Sequence, residues 1–218
     1  MPYTPDLDRL LAPGARFADE HRTYVIEAHD VDDIVLPTGQ VVGCDPLVCP
    51  ESDPFTVTVP PGRHRARAWV AVVLADGAEV DRRVAALELV VVDDEPTVSW
   101  ELALVGDQDP ARLGADDYYG YGVDAGTGTL ADVAALRVLE DWTYERVEEV
   151  FIPATIPAEP VPGLITAVLD ETTGANVVTV SSGWGDGCYG TWIGRAADGR
   201  VTSFVTDFMV VPDDPTPR

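Results

Sequence analysis

The chain has 218 residues, with 38 Asp and Glu against 14 Lys and Arg, a net charge of −24. Such a field repels phosphate backbones and anionic lipid heads, since nucleic-acid binding depends on cationic neutralisation of phosphates, so neither partner is expected. The length supports one large β-rich domain or two small ones, and three cysteines, Cys44, Cys49 and Cys188, do not make a disulfide framework.

The first residues, MPYTPDLDRLLAPG, show no basic stretch leading into an apolar run. No segment reaches the ~18 apolar residues of a membrane span. A soluble, cytoplasmic protein is expected. Every basic residue is arginine and lysine is absent, which fits the coding bias of a GC-rich genome. The acidity therefore has a compositional source, and it also favours a cationic protein partner, a bound cation or plain solubility.

Taken in order, Thr4 is placed to cap a short helix with Pro5 at its first position, closed by Gly14. Residues 24–28, 34–36 and 40–44 read as hairpin-linked strands, with Pro37-Thr38-Gly39 as a turn and Pro46 as a stop. Residues 55–59 are a further strand. Residues 64–74 alternate strongly, Ala75-Asp76-Gly77 turns the chain, and residues 79–92 pair back. Val98, Trp100, Leu102 and Leu104 share one face of the next strand. The pattern predicts an antiparallel meander over residues 1–106.

Residues 107–128 are rich in acid, glycine and tyrosine and read as an irregular functional loop. A helix is predicted from Thr129, with Asp132 in capping-box position and Ala131, Ala134, Ala135, Val138, Leu139 and Trp142 on one face. A second helical turn over 143–150 precedes a proline-studded connector. Strands follow at 164–169, 177–180, 189–195 and 201–211, and a frayed tail at 212–218. The fold class is mainly β: an antiparallel sandwich or partly open barrel with one or two short helices. It is one domain over 1–218, with a possible division into halves 1–106 and 107–218.

The segment SSGWGDGCYG at 181–190 places four glycines among Trp184, Asp186, Cys188 and Tyr189. Glycine permits tight bends and close backbone approach, although Asp-Gly is also an ordinary hairpin turn. Asp207 lies in a run with two apolar faces, where a carboxylate must be paired, protonated or bound to a cation. Asp45, Asp124, Asp186 and Asp207 all adjoin glycine, proline or a strand end, from which side chains can converge. Oxygen-rich clusters suit calcium or magnesium, which are the metals considered, although the spacing is not that of an EF-hand. Cys44 and Cys49 have no histidine pair to complete a zinc set, because His21, His29 and His64 lie far off. Cys188 reads either as a reactive thiol or as a small buried residue. No phosphate-binding loop, dinucleotide fingerprint or serine-hydrolase elbow occurs.

GCDPLVCPE from Gly43, PFTVTVPPGRHRARAWVAVV from Pro54, GYGVDAGTGTLAD from Gly120 and SGWGDGCYGTWIGRAADGRVTSFVTDF from Ser182 together resemble the bacterial family of domain of unknown function 4241. The positions that carry the resemblance include Asp45, Pro46, Asp124, Gly126, Asp132, Asp186, Tyr189, Asp207 and Phe208. Gly190-Thr191 departs from it, where a proline-containing segment is expected. The resemblance implies a single-domain bacterial protein and no activity that carries over.

Two functions follow from the residues. The first is a binding module: Asp45, Asp124, Trp184, Asp186, Tyr189 and Asp207 contact a small molecule or a cationic protein, with Tyr118, Tyr119 and Tyr121 adding aromatic surface. An immunity-type partner of a basic toxin is one form of it. The alternative is a carboxylate- or metal-dependent hydrolase in which Asp186 and Asp207 divide the acid and base roles.

Overall fold

Alternation with a period of two runs through much of the chain. The computed structural model, which describes residues 2–48 and 50–212, resolves it into thirteen strands and three α-helices among those residues. Cys49 and residues 213–218, most of the expected tail, lie outside the described residues.

In order, the elements are α1 (Leu7–Leu10), β1 (Arg16–Ala18), β2 (Thr23–Leu36), β3 (Val41–Cys44), β4 (Gly62–Ala75), β5 (Ala78–Val90) and β6 (Ser99–Leu102). Then come β7 (Tyr121–Val123), β8 (Thr127–Asp132), α2 (Val133–Glu140) and α3 (Tyr144–Phe151). The last are β9 (Ile165–Asp170), β10 (Ala175–Ser181), β11 (Gly187–Tyr189), β12 (Thr191–Arg195) and β13 (Val201–Asp207).

Seven strands form one antiparallel sheet in the order β1-β2-β4-β5-β13-β12-β6, and four form a second in the order β3-β8-β10-β9. The sheets pack face to face as an open sandwich. Alternation in the smaller sheet shows why it has two covered faces: Val41, Leu130, Val178 and Val180 join the large core between the sheets. Their neighbours Val42, Ala131 and Val177 point the other way, into a second core beneath α2 and α3. A side-chain clamp ties the layers, as Asn176 accepts the Val35 amide at 2.8 Å and donates to the Asp33 carbonyl at 2.8 Å.

Several local expectations change. The helix cap at the start is Asp6, which accepts the Arg9 N–H at 3.1 Å, and not Thr4. Strand β2 runs on through the expected break, absorbing it as an irregularity between Val31 and Ile34. Strand β3 crosses over to pair with β8 instead of folding back on β2. Residues 55–59 make only isolated bridges, Phe55 with Val105 and Thr58 with Gln40.

Residues 129–132 are strand and not helix: they pair with β3, while Leu130 packs into the large core and Ala131 into the second, so both faces are covered. Asp132 then becomes the N-cap of α2, accepting the Ala134 N–H at 2.8 Å. The C-terminal strands β12 and β13 sit between β5 and β6, so both halves of the chain build one sheet.

Candidate functional site

The loop 107–128 and the glycine-rich segment meet as a two-stranded ribbon, β7 with β11, in which Tyr121 faces Tyr189 and Gly122 faces Cys188. At its open end, Asp45 and Asp186 hold the same short turn from two sides. Asp45 is fully buried and accepts the N–H groups of Leu47 at 3.1 Å, Asp124 at 3.1 Å and Ala125 at 2.7 Å. Asp186 accepts the next amide, Gly126, at 3.2 Å. Burial pushes the Asp45 carboxyl up, the Asp186 charge adds to the rise, and the three amides oppose both. Thus Asp45, the 124–126 backbone and Asp186 do converge, as a fastening.

Tyr189 completes the turn from below. Its hydroxyl donates to the Gly185 carbonyl at 2.8 Å, while its ring stands edge-on to Phe208 at 5.3 Å. Gly183 is required here: its φ is +52°, and a Cβ would come 2.5 Å from the Phe208 carbonyl oxygen.

Residues 34–206 match the family described as protein of unknown function DUF4241. The chain belongs to that family. No curated protein and no solved structure matches it. In this DUF4241 chain, Asp45, Asp132, Asp186 and Asp207, acidic positions that carried the resemblance, all accept backbone N–H groups. Their common chemistry is therefore turn fastening, which explains why each adjoins a glycine, a proline or a strand end.

Asp207 is placed apart from the others. Register puts it opposite Ala86, itself opposite Trp69, so its side chain shares the outer face of the large sheet with Trp69. There it accepts the Met209 N–H at 2.8 Å, which supports the left-handed φ of +53° at Met209. Asp124 lends its backbone to Asp45. Among the described residues, no group of three or more His, Cys, Asp or Glu is arranged to hold a metal ion.

The expected aromatic surface divides as well. Trp184 is 45% exposed, with the guanidinium of Arg83 5.0 Å and that of Arg22 5.6 Å from its ring centre. The tyrosines are tied inward: Tyr118 donates to the Cys188 carbonyl at 2.9 Å, Tyr119 donates to the Asp109 carbonyl at 3.0 Å, and the Tyr121 hydroxyl is buried. Cys188 is exposed, yet partial desolvation pushes its thiol up, the direction opposite to that of an activated nucleophile.

A second cluster escaped the sequence reading. On the outer face of the large sheet, Asp30, Arg67 and Glu88 lie side by side on β2, β4 and β5. Glu88 is 8% exposed and accepts the Trp69 indole N–H at 2.9 Å, with Arg67 at 3.7 Å. The signal was present: Glu88 is a lone carboxylate within the apolar run 84–92, the same anomaly that singled out Asp207. The pairing of its strand with residues 64–74 was expected, but not the register that brings Glu88 opposite Arg67 and within reach of Trp69.

Proposed function

We propose that this chain is a binding protein whose partner is a cationic protein. The observation that carries the reading is the outer surface of the α2–α3 layer. Its apolar side, including Leu136, Leu139 and Phe151, is buried in the second core. Its other side presents Glu140, Asp141, Glu145, Glu148 and Glu149 around Tyr144, which is 69% exposed. An exposed tyrosine on a helical surface rich in exposed carboxylates supplies contact area and an electrostatic lead to a basic surface. Arg146, whose guanidinium lies over the Trp142 ring at 3.8 Å, offsets one of these five carboxylates.

The setting proposed is a bacterial cytoplasm, and an immunity-type complex with a basic toxin is one form of it. Titration of purified basic proteins encoded beside this chain tests the reading. The expected result is a 1:1 complex that weakens with salt and loses about tenfold in affinity in the E145Q/E148Q/E149Q variant. If none of them binds, or binding ignores the three substitutions, the reading fails.

The hydrolase alternative gives Asp186 and Asp207 the acid and base roles. Amide bonding of both carboxylates favours their structural use instead. A turnover lost in Asp186→Asn and Asp207→Asn variants that keep the wild-type melting temperature would favour catalysis.

A further inference from the structure

The outer-face cluster lines a cleft of about 620 Å³, closed on one side by the segment from Asp8 to Pro13 and on another by Trp100. We propose that this cleft binds a small organic cation, an alkylammonium or alkylguanidinium group. The proposal does not depend on the acidic helical surface, which belongs to the other layer of the sandwich.

Both indoles are held before any ligand arrives. Trp69 donates its N–H to Glu88 at 2.9 Å, and Trp100 donates its N–H to Asp8 at 2.9 Å. Each hydrogen bond fixes a ring and sets a carboxylate beside it. Aromatic faces and carboxylates together are the surroundings that bind an organic cation, through ring quadrupole and charge.

The charges within the cleft do not cancel. Asp8, Asp30 and Glu88 supply three carboxylates, and Arg67 is the one cationic side chain among the lining residues. The molecule already makes this pairing once, with its own side chain: the Arg67 guanidinium lies 5.6 Å from the Trp69 ring centre and 3.1 Å from Asp30. A second cation beside Trp100 would repeat that pairing and neutralise part of the remaining charge.

The cation can arrive as a free amine or as an arginine side chain of another protein, and two probes separate these sources. Calorimetric titration at about 150 mM salt would use agmatine as the free form and N-acetyl-arginine amide as the side-chain form. Saturable 1:1 binding of either probe is expected, tighter for agmatine if the ligand is a free amine and tighter for the capped arginine if it is a side chain. Trp100→Ala and Glu88→Gln should each weaken it by about tenfold, while Glu171→Gln in the exposed β9–β10 turn leaves it unchanged. Trp100 is partly exposed on the edge strand β6, so its variant tests the site even where Glu88→Gln perturbs folding. No saturable binding of either probe up to about 10 mM would overturn the proposal. So would binding that Trp100→Ala leaves intact, or that Glu171→Gln weakens equally.

Discussion

Asp45 accepts the Ala125 amide at 2.7 Å although 80 residues separate them in the chain. This bond and its neighbour to Asp124 join the end of β3 to the turn between β7 and β8, and they fix the frame on which the glycine-rich segment sits.

Replacing Asp45 by Asn keeps the volume but puts an NH2 where an acceptor is needed. Buried amides that lose their partner cost about 1–3 kcal/mol. Asp45→Asn should therefore lower unfolding stability by about 2 kcal/mol, and Asp45→Ala by more, read from urea denaturation. A variant as stable as the wild type would show that the fastening is redundant.

Gly183 and Gly185 both have positive φ, +52° and +120°, but only at Gly183 is the space closed. An alanine at either position pays for its backbone by about 1 kcal/mol or more. Gly183→Ala adds a clash with the Phe208 carbonyl and should lower the melting temperature well beyond Gly185→Ala. Equal losses would mean that the close approach can relax.

Burial pushes the Glu88 carboxyl above its ordinary 4.5, with Asp93 adding to the rise and with the Trp69 N–H and Arg67 pulling the other way. Between 4.5 and the raised value, the folded protein keeps a proton that the unfolded chain has lost. Its contribution to stability is therefore present at lower pH and lost as pH rises. Asp30 runs opposite: a hydrogen bond from Arg67 holds it below 3.8, so its contribution is present above that value and lost as pH falls. Glu88→Gln should accordingly lose less stability than the wild type as pH rises above 4.5, and parallel stability curves would refute this.

Trp184 stands on the surface with contacts to Arg22 and Arg83 alone worth about 0.5–1 kcal/mol each at exposed sites. Trp184→Ala should shift stability by about 1–2 kcal/mol, the two contacts together, which makes it a clean probe of any surface role. A large drop on thermal melting would reassign the side chain to the core.

Much of the architecture was legible because its causes are local. Apolar alternation in residues 64–74 marked β4, Asp-Gly and Gly turns marked the chain reversals, and part of the buried face of α2, Ala135 and Leu139, followed from a 3.6-residue period, with Val133 and Leu136 missed. Conspicuous carboxylates were legible too, since charge in an apolar setting is anomalous on inspection alone. Their use was not. Whether Asp45 faces a ligand or the amides of residues 124 and 125 depends on a partner 80 positions away.

The amino-acid sequence by itself determined the β-rich class, the turns, the acidity and membership of the DUF4241 family, all of which rest on composition or on neighbours a few residues apart. Tertiary structure alone decided that β13 enters between β5 and β12, that residues 129–132 extend into a sheet, and that Trp69, Trp100 and Glu88 border one cleft. The physical reason is that strand pairing is chosen by the burial each pairing allows across the whole chain. Helix-like spacing in residues 129–132 is a weak preference, and pairing with β3 together with burial on both faces overrides it.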